Sequence, residues 1–443
     1  MRTGATTLRI ATAAAAFALA LAAAAQPDPT PYPTPPSKKG LQVQMVDDAL
    51  ALGIHHAAVN VALPALAAAG DDGGGDDDGA LPFTVGERTF RFDRAAVAAL
   101  DAQVEPLSRA GVVVTAILLA VQTGDPARDR RFVHPRCIGR APNGIAAFDT
   151  ATPDGRAWLD ATIAFLADRY RAADGDAPHG RIWNWIVGNE VNSHWWWYHL
   201  GKAPLADVVA AYEAAVRIVQ GAVRRHSRHG RVFVSLEHHW TARYAAGDDQ
   251  QAVPGRDLLR AFAARARERG DFDWHVAFHP YPENLFECRF WRDRSAPDAD
   301  DAPRVTFRNL PVLLRCLADE PLRHADAPRR VILSEQGFHC RDDADGERDQ
   351  AAAFALAWSI VQRLPQIDAF ILHRHVDHAH EGGLRLGLWS RRPDSICTPA
   401  QRRRIADVFA ACDTPAWPAC AAFALPVIGL ADLADWPLGG TTR

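Results

Sequence analysis

A single closed (β/α)8 barrel is the α/β fold that this sequence predicts, on three observations. Short, continuously apolar runs alternate along the chain with amphipathic helical stretches. Runs without polar–apolar alternation fit strands buried on both faces, which a parallel sheet wrapped in helices provides. Most of the runs then turn polar at their C-terminal ends, where barrel enzymes place their chemistry.

The elements follow in order. A first strand is expected at residues 40–43, ahead of a helix over 47–52. "IHHAAVNV" (54–61) is the second strand, and a helical stretch over 93–110 follows it. "VVVTAILLA" (112–120) is the third, followed by a helix over 154–172. "IWNWIVGNE" (182–190), a helix over 205–226 and "VFVSLEHHW" (232–240) continue the alternation. "WHVAFHPYP" (274–282), "VILSEQGF" (331–338), a helix over 350–364 and "IDAFILHRHVDH" (367–378) complete eight strands. Six or seven strands in an open sheet would give a doubly wound fold. Polar ends on strands drawn from most of the chain favour the ring.

The chain has 443 residues and a formal charge of −4, too dilute to mark nucleic acid or an acidic membrane surface as a partner. Residues 1–25 read as an export signal: Arg2 and Arg9, then a small and apolar run, then Ala23-Ala24-Ala25 before Gln26. The run is too short and alanine-rich for a spanning helix. There is no adjacent arginine pair and no nearby cysteine, so neither twin-arginine export nor a lipid anchor is expected. A periplasmic or extracellular location follows.

"QPDPTPYPTPPS" (26–37) reads as a proline-rich spacer. Residues 38–443 are then expected to form one catalytic domain, acting as a monomer. The tract "AGDDGGGDDDGALP" (69–82) reads as a solvated surface loop whose spacing does not match a calcium-binding loop. In an oxidising compartment the seven cysteines, at 137, 288, 316, 340, 397, 412 and 420, imply at least one disulfide, with Cys412 and Cys420 the nearest pair. No pair has zinc-ligand spacing.

Two strand ends carry the chemistry. Glu190 closes "NWIVGNE" and Glu335 closes "RVILSE". A single strand-end glutamate is ordinarily a helix cap or an arginine's partner. Two, from distant parts of one ring, are the pair that glycosidic hydrolysis needs. One carboxyl protonates the leaving oxygen; the other attacks the anomeric carbon or activates water.

The pairing of "GNE" with a later "SEQGF" resembles the retaining glycoside hydrolases of clan A, TIM barrels with catalytic glutamates on strands four and seven. The resemblance implies acid/base Glu190, preceded by Asn189 as is common in that clan, and nucleophile Glu335. More closely, the chain resembles a bacterial family of glycosidase-like barrels known only as a domain of unknown function. "KKGLQVQMVDDALALGIHHAAVNV", "NEVNSHWWW", "AFHPYPENLFE", "ILSEQGF" and "FILHRHVDHAHEGGLRLGLW" carry that likeness. It implies fold and class of chemistry, and names no substrate. Many clan members carry an arginine at the end of strand two, where this chain has Asn60, so charge support for Glu335 is expected from Arg374. In the clan a Tyr or His ending strand six hydrogen-bonds the nucleophile, a role that falls here to His279 or Tyr281.

Sugar rings present apolar faces to indoles. Trp195, Trp196, Trp197 and Tyr198 follow strand four directly, and Trp240 and Trp389 fall at or just after later strand ends. Trp195, Trp196, Trp240 and Trp389, with Asn189, His279, Tyr281, His373 and Arg374, are the expected carbohydrate-binding set; no cofactor is implied. Two other readings stand beside the hydrolase. One is a carbohydrate-binding barrel without catalysis. The other is a metal-dependent hydrolase using the histidines between His373 and His380, although such barrels ordinarily place His-x-His on strand one.

Overall fold

The computed structural model describes residues 26–69, 79–172 and 179–438. The leader-like residues 1–25 and most of the acidic tract lie outside them. Eight parallel strands close into a ring: β1 (Lys39–Gln42), β2 (His56–Ala62), β3 (Val113–Val121), β4 (Gly180–Val187), β5 (Arg231–Glu237), β6 (Trp274–His279), β7 (Val331–Leu333) and β8 (Ile367–Leu372). Each pairs with the next, and β1 pairs with β8, Lys39 opposite Phe370. The fold is the expected TIM barrel.

The helices are α1 (Val46–Ala51), α2 (Arg94–Arg109), α3 (Pro153–Arg169), α4 (Leu205–His226), α5 (Gly255–Glu268), α6 (Pro311–Ala318), α7 (Gly346–Gln362) and α8 (Arg404–Ala411). Local chemistry sets their starts. The Asp93 carboxylate accepts the amides of Ala95 and Ala96 at the head of α2. The Thr152 hydroxyl accepts the Gly155 amide at the head of α3, where Pro153 occupies the first turn. α7 starts one turn before the expected 350. Residues 80–93 form an antiparallel hairpin, Ala80–Val85 with Arg88–Asp93, between β2 and α2.

Two apolar layers result. Ala58, Ile117, Ile186, Phe233, Ala277, Ile332 and Ile371 fill the ring interior. The larger core lies between the strands and the helices. Residues 26–37 do not hang free as a spacer. Asp28 pairs with Arg181, and the Tyr32 ring packs edge-on against Trp183, beneath the Arg231 guanidinium. Its hydroxyl donates to Asn184 (3.0 Å). The segment covers the N-terminal end of the barrel, which leaves the C-terminal end as the open one. Among the described residues, no helix is long and apolar enough to cross a membrane.

All seven cysteines are free thiols, so the expected disulfide is absent. Cys412 Sγ contacts the Val408 carbonyl and Cys420 Sγ the Asp407 carbonyl. The other five lie on separate elements, and burial pushes the thiols of Cys137 and Cys288 up to about 11 and about 12.

Candidate active site

The ladder of β4 ends at Val187, and the backbone then departs from it. Gly188 has φ +70° and Glu190 has φ +42°. A non-glycine residue there costs roughly 1–3 kcal/mol, a strain that the surroundings must hold in place. The surroundings do so. The Glu190 amide donates to Ser235 Oγ (3.0 Å), and the Ser235 amide donates to the Tyr212 hydroxyl (2.8 Å). That hydroxyl in turn donates to the Val187 carbonyl (2.7 Å). A Cβ at position 188 would sit 2.7 Å from the Tyr198 ring. Gly188→Ala is therefore expected to cost about 2–4 kcal/mol, from positive φ and overpacking together. Urea unfolding would measure it, and a loss below 0.5 kcal/mol would refute the account.

Glu335 lies two residues past the end of β7. One carboxylate oxygen of Glu190, one of Glu335 and a ring nitrogen of His279 all lie within 4.8 Å of one another. His279 Nδ1 meets Glu190 Oε1 at 2.8 Å and its Nε2 meets Ser334 Oγ at 3.1 Å. The Tyr281 hydroxyl donates to Glu335 Oε1 (3.1 Å). The two residues of "HPY" thus divide the work: the histidine holds Glu190 and the tyrosine holds Glu335.

The two carboxyls are pushed in opposite directions. Burial raises Glu190 to about 7, and the charges of Glu335 and Glu237 add to the rise against the opposing His279. Burial also raises Glu335, but His373, His279, the Tyr281 hydroxyl and Arg374 outweigh it and hold it below the ordinary carboxylate range. Burial drives His373 itself down to about 4, hence to its neutral form at pH 7. The lasting support for Glu335 then comes from Tyr281, Arg374 and His279, whose own pKa the neighbouring carboxylates raise despite burial. Arg374, itself ion-paired with Glu381, adds its positive charge near Glu335.

The glutamates open into a cavity of about 450 Å³ at the C-terminal end of the barrel, lined among others by Ser193, Trp197, His238, Tyr244, Tyr281 and His373. The remaining expected residues lie elsewhere. Asn189 is buried beside Glu190 without reaching the cavity wall. Trp195 packs edge-on against His199, and Trp196 against Tyr244. Trp240 is fully buried in the core. The Trp389 indole donates to Asp48 Oδ2 (3.1 Å). None of these four tryptophans lines the cavity; Trp197 and Tyr244 do.

Nor do the histidines of 373–380 converge. His373 meets Gln42 and Glu381, His375 meets Asp48 at 2.7 Å, and His378 packs on the ring of His380. His373 and His375 are thus committed to different partners, past the end of β8 at Leu372. Two other triads among the described residues bring three ligand-type atoms together, Glu190–His279–Glu335 and Glu237–His238–His239. In each, a histidine is already hydrogen-bonded to the glutamate, so the groups satisfy one another. The expected set left out Glu237, Ser334, Trp197 and Tyr244, although Glu237 carried a signal as a carboxylate ending an apolar strand and Trp197 as one of the aromatics directly after strand four.

A family model matches residues 31–436. The chain belongs to the family of unknown function DUF5722. No curated protein matches it. Among solved structures it is similar to a family 39 glycoside hydrolase from Bacteroides cellulosilyticus WH2, at 14% identity and a TM-score of 0.52. That likeness covers 85% of this chain and 63% of that one, so the chain spans less than two thirds of the enzyme's length. A family 39 enzyme from Xanthomonas axonopodis pv. citri matches at 14% identity and a TM-score of 0.45, over 82% of this chain and 61% of that one. At these identities the likeness concerns the fold.

Proposed function

We propose that the protein is a glycoside hydrolase that cleaves a poly- or oligosaccharide by double displacement, with Glu335 as nucleophile and Glu190 as acid and then base. One observation carries this reading. Two strand-end carboxyls in one cavity have oxygens within 4.8 Å of each other, and their surroundings favour opposite protonation states. A binding surface has no need of such a pair. The short separation favours a nucleophile over an inverting pair, whose carboxyls stand roughly 6.5–9.5 Å apart to admit water. Once Glu335 bonds the sugar its charge is gone, Glu190 becomes more acidic, and it can take a proton from the incoming water. Trp197 and Tyr244 supply apolar surface for the sugar face. Export to the periplasm or beyond belongs to the same proposal and rests on residues 1–25 alone.

The test is a screen of purified protein against plant, algal and bacterial glycans, read by released reducing ends, with the product anomer followed by proton NMR. Retention of configuration is expected; inversion would remove the nucleophile role. The same assay predicts a bell-shaped pH profile for kcat/KM. Glu335 must be ionised, so activity is lost as pH falls through its depressed pKa. Glu190 must be protonated, so activity is lost as pH rises through about 7. A rate still climbing at pH 9 would contradict this assignment.

A further inference from the structure

Glu237 ends β5 on the cavity wall, yet double displacement gives it no task. It is 6% exposed, a costly place for a charge unless donors surround it. Four do. Asn192 Nδ2 (2.6 Å) and Ser193 Oγ (2.9 Å) donate to Oε1, and the amide (2.8 Å) and Nδ1 (2.7 Å) of His239 donate to Oε2. The Glu237 amide returns a bond to Asn192 Oδ1 (2.9 Å). Burial alone would raise this carboxyl, but the His239 bonds, with His238 beside them, push it down to about 2. The proton on His239 is also fixed. Its Nε2 lies 3.2 Å from an Arg304 nitrogen, and a guanidinium only donates, so Nε2 accepts and Nδ1 carries the hydrogen.

Two consequences meet at Glu190. Asn192 and Ser193 form the short turn that directly follows Glu190, so Glu237 clamps the segment that keeps Glu190 at positive φ. Its fixed negative charge also acts on Glu190 and on His279, and disfavours a second anion at Glu190. We propose that Glu237 is the positioning residue of the proton donor: it clamps the turn 191–193, and its permanent charge keeps Glu190 protonated until the leaving oxygen takes the proton. This rests on the reading of Glu190 as acid/base. The charged and titratable groups facing Glu190 are His279, Glu335 and Glu237. Those facing Glu237 are Glu190, His279, His238 (Nε2 at 3.9 Å), His239 and, through His239, Arg304.

A carboxyl titration tests this without any substrate. Protein carrying 13C at the glutamate carboxyls is titrated by NMR, with the Glu190 resonance assigned by its loss in Glu190→Gln. In the wild type the Glu190 midpoint should lie well above the roughly 4.3 of free glutamate. In Glu237→Gln it should fall, because a neighbouring like charge that opposes ionisation is gone. Ser193→Ala loosens the clamp and keeps the charge, so its midpoint should move far less, while kcat falls on a cleavable glycan. The basic limb of kcat/KM should follow the midpoint. An unmoved midpoint in folded Glu237→Gln overturns the proposal, as does a wild-type midpoint at or below 4.3 even where no variant folds. The shift without cleavage of any glycan would sink the hydrolase reading and leave the Glu237–Glu190 coupling standing. Cleavage without the shift would sink only the coupling.

Discussion

Glu335→Gln is expected to lower turnover by about four orders of magnitude or more, the scale at which removal of a covalent nucleophile is felt. The amide is nearly the same size and still accepts the Tyr281 hydroxyl, so the fold should hold. What disappears is the electron pair that bonds the anomeric carbon. The loss should therefore be the same for every leaving group, because glycosyl transfer to Glu335 precedes all products. Turnover of a confirmed substrate within tenfold of wild type would remove Glu335 from the nucleophile role. A matching thermal unfolding curve excludes misfolding as the cause.

Glu190→Gln should cost roughly 10²- to 10⁴-fold with a sugar leaving group, the usual worth of a positioned proton donor. The size of the loss should depend on chemistry. A nitrophenolate leaves without a proton, so cleavage of an aryl glycoside should lose far less in its first step. Return of the glycosyl-enzyme to water, which needs a base at the same position, should then limit the rate. A burst of nitrophenol before slow steady turnover is the expected trace. Equal losses on aryl and sugar leaving groups, with no burst, would show that Glu190 acts by packing and not by proton transfer.

Much of this site was legible because the side-chain period of a strand is two and its polar end is abrupt. Glu190 and Glu335 each follow a run too apolar to need a carboxylate, and both do face the cavity. The supporting histidine and tyrosine were legible as a pair, but their division of labour was not. Whether His279 reaches Glu190 or Glu335 is decided by the spacing of β4, β6 and β7 around the ring. The aromatics were the least readable. Trp195, Trp196 and Trp197 are neighbours in sequence with near-equal chemistry, and a helical turn over His194–Trp197 sends each a different way. Trp240 follows β5 closely, yet its amide is captured by the Pro303 carbonyl and its ring turns into the core.

The sequence by itself determined the ring of strands and marked Glu190 and Glu335 as carboxylates at strand ends. These follow from local pattern: apolar runs fix what is buried, and a polar residue at a run's end fixes what reaches the mouth. The tertiary structure alone decided which histidines meet which acids, that the cysteines stay apart, that residues 26–37 cover the barrel's base, and that Glu237 grips the turn beyond Glu190. Each of these is a contact between residues far apart in the chain. Its geometry is set by how the strands tilt and stagger around a closed barrel, which no window of sequence contains.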